Sequence, residues 1–158
     1  MKKLKIFLAF FLFFCSGCDY DARLTMLEKK SEKISTTSIS SATLRPGATG
    51  YSIIRFGLGN LTVFLSDIQP YANGSKVILQ FGNPLSVDLT GLEATISWGA
   101  IDTNGLPSPN HKTKNINFAG TLEAAALTNI PIVLEETPPS QLGFVYISDV
   151  THSGIQFR

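Results

Sequence analysis

An all-β fold, a two-sheet immunoglobulin-like β-sandwich of about seven or eight strands, is predicted for residues 44–158. Three observations carry that expectation. Apolar and polar residues alternate in short runs, most plainly where Leu92, Ala94, Ile96 and Trp98 face one way and Glu93, Thr95 and Ser97 the other. Turn dipeptides separate the runs: Asn73-Gly74, Asn83-Pro84, Thr90-Gly91, Asn104-Gly105 and Pro138-Pro139. The chain also holds 13 Gly and 8 Pro, enough to punctuate many short strands. A closed barrel is the alternative arrangement.

Lys2, Lys3 and Lys5 form a basic start, and Ile6 to Cys15 reads IFLAFFLFFC without a charge. Small residues, Ser16 and Gly17, follow. That order describes a bacterial export signal over residues 1–17. As a helix, Ile6 to Gly17 would span only ~18 Å, short of the ~30 Å hydrocarbon core that a retained span must cross.

The next step is a covalent anchor. Cys15-Ser16-Gly17-Cys18 resembles a bacterial lipobox, in which a signal peptidase cuts before a cysteine that becomes lipid-modified. Cys15, Ser16 and Gly17 form the expected recognition segment, with small side chains at the two positions before the cut. Cys18 is the expected acylated residue. The chain's 2 cysteines both lie here, so the body carries no disulfide. A Cys15/Cys18 metal pair is excluded on ligand number, since zinc takes four. The resemblance implies acyl chains on the Cys18 sulfur and attachment to the membrane. Two chains hold firmly where one does not. Asp19 resembles an inner-membrane retention signal, which favours the periplasmic face of the inner membrane; the outer membrane is the alternative.

Residues 18–43 form the lipidated N-terminus and a tether, partly helical or disordered. Tyr20, Leu24, Leu27 and Ile34 lie at near-heptad offsets, but too few heptads follow for a coiled coil. Ser and Thr then dominate up to Thr43 and cannot bury enough surface to order themselves. As a coil the tether reaches roughly 25–30 Å.

The strand runs follow: Tyr51–Phe56; Leu61, Val63 and Leu65; Val77, Leu79 and Phe81; Leu92–Trp98; Ile116–Phe118; Ile130, Ile132 and Leu134; Leu142, Phe144 and Tyr146; and Ile155–Phe157. Several of these residues sit in a pattern that resembles a known family. Gly59-Asn60-Leu61-Thr62-Val63, Asn73-Gly74 with Val77 through Pro84, Trp98-Gly99 and Leu142-Gly143-Phe144-Val145 are similar to the YajI-like family of bacterial lipoproteins. The resemblance implies a lipid-anchored periplasmic β-domain and supplies no catalytic residues.

Chemistry-bearing residues are few. The 2 histidines are His111, in the Pro107–Lys114 loop, and His152, near Asp149 and Ser153. An Asp149–His152–Ser153 triad lacks a nucleophile elbow, and turn histidines are the simpler expectation. Neither histidine has a nearby third metal ligand, so no metal and no cofactor is expected. Gly57-Leu58-Gly59 reads as a bend between strands rather than a phosphate loop. Glu135 and Glu136, read as strand neighbours, face opposite sides of an exposed strand. Trp98 shares the apolar face with Ile96 and is expected in the core rather than stacked on a sugar. The formal net charge of +1 argues against nucleic acid as a partner.

The expected function is therefore a non-catalytic interaction module of the bacterial cell envelope, with a periplasmic protein as possible partner. The alternatives are a structural or stress-related envelope lipoprotein without a defined ligand, and a hydrolase.

Overall fold

The computed structural model describes residues 41–157. The expected signal segment 1–17, Cys18, Asp19 and the expected tether as far as residue 40 lie outside the described residues. Nine strands follow in order: β1 (Ala42–Leu44), β2 (Ser52–Phe56), β3 (Gly59–Tyr71), β4 (Gly74–Asn83), β5 (Val87–Gly99), β6 (Lys112–Leu122), β7 (Ala126–Leu134), β8 (Phe144–Thr151) and β9 (Gly154–Phe157). A single 3₁₀ turn, Pro139–Gln141, precedes β8.

Backbone hydrogen bonding joins the strands into two antiparallel sheets. One runs β1-β8-β5-β6, with β9 also paired to β5; the other runs β2-β3-β4-β7. Their inner faces meet in one core. Leu61, Val63, Val77, Leu79 and Phe81 come from the four-stranded sheet, and Leu92, Ile96 and Ile147 from the five-stranded one, each with no exposed surface. Burying a side chain of this size contributes about 1.5–3 kcal/mol, so the shared core is what makes two half-apolar sheets one domain. The result is the immunoglobulin-like sandwich that the alternation predicts.

Three local readings change. The β3–β4 hairpin pairs Tyr71 with Gly74, so its loop is Ala72-Asn73, and the positive φ (49°) falls on Ala72. Gly74 serves packing instead: it is buried, and a Cβ there would run into the Leu134 carbonyl oxygen. Thr90-Gly91 is not a turn but lies inside β5. There Gly91, at φ 59°, shifts the register against β6, and its missing Cβ leaves room for Ser153. The third change is on β8, whose core-facing residues are Val145 and Ile147. Phe144 is buried but stands outside the core cluster, and Tyr146 is half-buried.

β1 begins at Ala42, two residues before the boundary read from the sequence. Ala42 and Leu44 are buried while Thr43 faces out, which is the shortest stretch that can show alternation.

Candidate functional site

β5 lies in the middle of its sheet, so its outward residues are flanked on both sides. Register gives three rows across the outer face. Ser97 stands between Tyr146 of β8 and Thr113 of β6, and Thr43 of β1 extends that row beyond Tyr146. Thr95 stands between Ser148 and Asn115, and Glu93 between Thr151 and Asn117. Side chains directly opposite on neighbouring strands come within about 5 Å, close enough to bond. Ser97 Oγ and Thr113 Oγ1 are 2.8 Å apart. Thr95 Oγ1 donates to Asn115 Oδ1 at 3.2 Å, and Asn117 Nδ2 donates to Glu93 Oε1 at 2.9 Å. Hydroxyls and amides are thus paired across the strands of this face.

At one end the face sinks into a cleft of about 280 Å³, lined by Thr43, Ser97, Pro107, His111, Phe144 and Tyr146. The β5–β6 connection builds its wall. Asp102 Oδ1 accepts from the backbone N–H of Asn104 (2.9 Å) and Leu106 (2.8 Å), the side-chain-closed turn that Asp favours. Ile101 bridges to Pro107, and Ser108 N donates to Ala100 O at 2.9 Å. This ordered loop sets His111 edge-on to Phe144, ring centroids 6.4 Å apart. His111 Nδ1 lies 3.2 Å from Ser108 O, so the tautomer that donates from Nδ1 leaves Nε2 as an acceptor. At the other end a hollow of about 260 Å³ is lined by Glu93, Thr95, Asn115, Asn117, Asp149 and Thr151, among others.

The other residues singled out by sequence are engaged elsewhere. His152 packs edge-on against Phe56 at 5.8 Å, and its Nδ1 is buried without a hydrogen-bond partner. Ser153 Oγ donates to Thr90 O at 3.2 Å, and Asp149 accepts from Ser148 Oγ at 2.9 Å. No nucleophile–base–acid chain comes from those bonds. Trp98 is buried, its indole N–H directed at Glu135 O at 3.3 Å. Glu135 and Glu136 are not strand neighbours: they form the turn after β7, with Glu136 at φ 52°. Both therefore reach β6, Glu136 pairing with Lys112 and Glu135 lying 3.7 Å from Lys114. The Lys112 ammonium holds the Glu136 carboxyl below its ordinary value, chiefly by the hydrogen bond and then by charge. Among the described residues, no group of three or more His, Cys, Asp and Glu could hold a metal ion.

Of the lining residues, His111 was visible in the sequence as a loop histidine, and Ser97 as an outward residue of its strand. The run Leu142, Phe144 and Tyr146 puts Phe144 and Tyr146 on one face of their strand, and that face is the outer one; the neighbouring pair Val145 and Ile147, both β-branched and aliphatic, signals the core side. Cys18, the expected acylated residue, its flanking Cys15, Ser16 and Gly17, and Asp19 lie outside the described residues.

A family model described as a protein of unknown function (DUF3251) matches residues 21–156. The chain is similar to the uncharacterized lipoprotein YajI of Escherichia coli (strain K12), 26% identical over 123 residues, 77% of this chain and 69% of YajI. It is also similar to the inner membrane lipoprotein SadB of Salmonella typhimurium, 29% identical over 109 residues, 66% of this chain. That match spans 48% of SadB, about half its length. The fold is similar to the solved structure of the Salmonella enterica trimeric lipoprotein SadB, with a TM-score of 0.64 at 23% identity, covering 88% of this chain and 84% of that one. It is equally similar to the solution structure of YajI from Escherichia coli, TM-score 0.64 at 22% identity, covering 96% and 89%.

Proposed function

This chain belongs to the DUF3251 family of YajI-like bacterial lipoproteins, and from that premise we propose a lipid-anchored binding module of the cell envelope. It binds, without chemistry, through the outer face of its five-stranded sheet. The observation that carries this reading is the set of three cross-strand rows running from Glu93 to a cleft walled by His111, Phe144 and Tyr146. The rows hold hydroxyls and amides without an activated nucleophile, an arrangement that recognises rather than transforms.

The anchor is Cys18, acylated after cleavage of residues 1–17, and the segment that follows it tethers the sandwich domain, whose first strand is Ala42–Leu44. The uncharged segment Ile6–Cys15 with its basic start supports this. So do relatives named as lipoproteins. Asp19 retains the protein at the inner membrane, in line with the name given to SadB. In cells fed a labelled fatty acid, the wild type takes up label and Cys18→Ser does not; a labelled Cys18→Ser variant contradicts the anchor. Asp19→Ser shifts the protein to outer-membrane fractions, and wild type already found there contradicts the sorting.

The binding face is tested by a photo-crosslinking residue placed at Tyr146 or at Asn129, on the opposite outer face. Crosslinks in intact cells arise from position 146 and not from 129. The reverse pattern, or equal capture from both, refutes the reading.

The trimeric description of SadB supports a second reading, self-association of copies. Ile53 and Leu127, 55% and 58% exposed on the four-stranded sheet, offer apolar surface for it. Light scattering of the full chain in detergent distinguishes monomer from trimer.

A further inference from the structure

Resting on the reading of this face as the binding surface, we infer that its occupant is a short, uncharged oligosaccharide bearing acetamido groups. Three features of the face select that chemistry.

The first is shape. From Ser97 to Glu93 the outward residues of β5 extend ~13 Å along the strand, and three strands make the face ~10 Å wide. A rigid, elongated polymer matches that strip better than a compact small molecule.

The second is the mixture of groups. Ser97, Thr113, Thr95 and Asn115 both donate and accept hydrogen bonds, as sugar hydroxyls and amides do. At the end of the strip, Phe144, Tyr146 and Pro107 line the cleft with apolar surface. A pyranose with an N-acetyl group presents both kinds of surface: an apolar ring face for an aromatic side chain, a methyl for the cleft, and hydroxyls and an amide for the rows. The Tyr146 hydroxyl has no hydrogen-bond partner among the described residues.

The third is charge. Glu93 and Asp149 lie at the far end of the face, and no Lys or Arg stands in the three rows. Lys112 and Lys114 on β6 are directed to Glu136 and Glu135. A phosphate-rich polymer would meet two carboxylates and no cation.

The test uses the full lipidated chain in detergent, followed by amide NMR while a tetramer of N-acetylglucosamine is added. Saturable shifts are expected at Thr95, Ser97, Thr113 and Tyr146, and a glucose tetramer without acetamido groups should bind more weakly. Tyr146→Leu is expected to weaken binding about tenfold, and Thr113→Val less, with amide dispersion confirming that both remain folded. Asn129→Ala, on the other sheet, leaves the shifts unchanged. No shift on the face at saturating tetramer overturns the ligand class. If position 146 still crosslinks to a protein in cells, the ligand class alone has failed and the binding face stands. If position 146 captures nothing, the face itself is refuted.

Discussion

The two outer faces of the sandwich share one strand geometry and both bond polar side chains across strands, but they place their aromatic groups differently. On the four-stranded sheet, Tyr51 packs against Phe64 with ring centroids 5.3 Å apart, and its hydroxyl donates to Gln80 Oε1 at 2.5 Å. Gln80 Nε2 then donates to Asn129 Oδ1 at 3.1 Å, which closes the chain within the face. On the five-stranded sheet the aromatic groups instead border an open cleft, and the tyrosine there bonds to nothing among the described residues. The tyrosine of the four-stranded face is paired within the protein, while Tyr146 stands at the edge of a cleft. That difference is the reason the proposed binding face is the five-stranded one.

The comparison presumes that both faces stand on one core, and the largest expected effect tests this. Leu79→Ala from one sheet and Ile96→Ala from the other should each cost about 2–5 kcal/mol in denaturant unfolding, because both side chains are fully buried in the same cluster. Each variant should retain a single transition. A variant in which only one sheet melts early would show two separate bodies, and the faces could not then be compared as parts of one domain.

The same substitution at two tyrosines sharpens the contrast. Tyr51→Leu loses an aromatic contact and a hydrogen bond and should cost about 1–2 kcal/mol. Tyr146→Leu, with no bond to lose, should stay within about 1 kcal/mol of wild type. Equal costs would mean that the cleft tyrosine is also structural.

The smallest effect lies at the seam between the sheets. Lys112 lowers the proton affinity of Glu136 in the folded state, so its contribution is present above the ordinary carboxylate pKa and is lost as pH falls through the lowered value. Glu136→Gln should flatten that part of the acid limb of Tm against pH, by a small amount for an exposed pair. An unchanged limb would show that the pair adds nothing to stability.

Much of this architecture was legible beforehand, for a physical reason. A strand with one wet face writes its orientation as a period of two, so Leu92–Trp98 and Val77–Phe81 could be read residue by residue. Where both faces are covered the period fails: in β8 Phe144 is buried on the outer side while Val145 and Ile147 face the core, so burial there does not alternate. Glycine also signals ambiguously. Gly74 and Gly91 looked like turn residues, yet one allows close packing under Leu134 and the other makes a bulge inside a strand. The cleft was the least legible feature. Thr43, Ser97, His111 and Tyr146 come from four segments, and only the strand order brings them together. Pairing of distant strands leaves no trace in local periodicity.

The most direct test of the proposed binding face is a thiol footprint in the intact envelope, where the proposed cleavage and acylation at Cys18 leave an introduced cysteine as the one free thiol. Thr113→Cys and Asn129→Cys place exposed probes on the two outer faces. Both should react equally with a maleimide in purified protein. In intact cells the probe at 113 should be protected while that at 129 remains reactive. Equal reactivity at both positions in cells, or protection at 129 alone, would contradict the account.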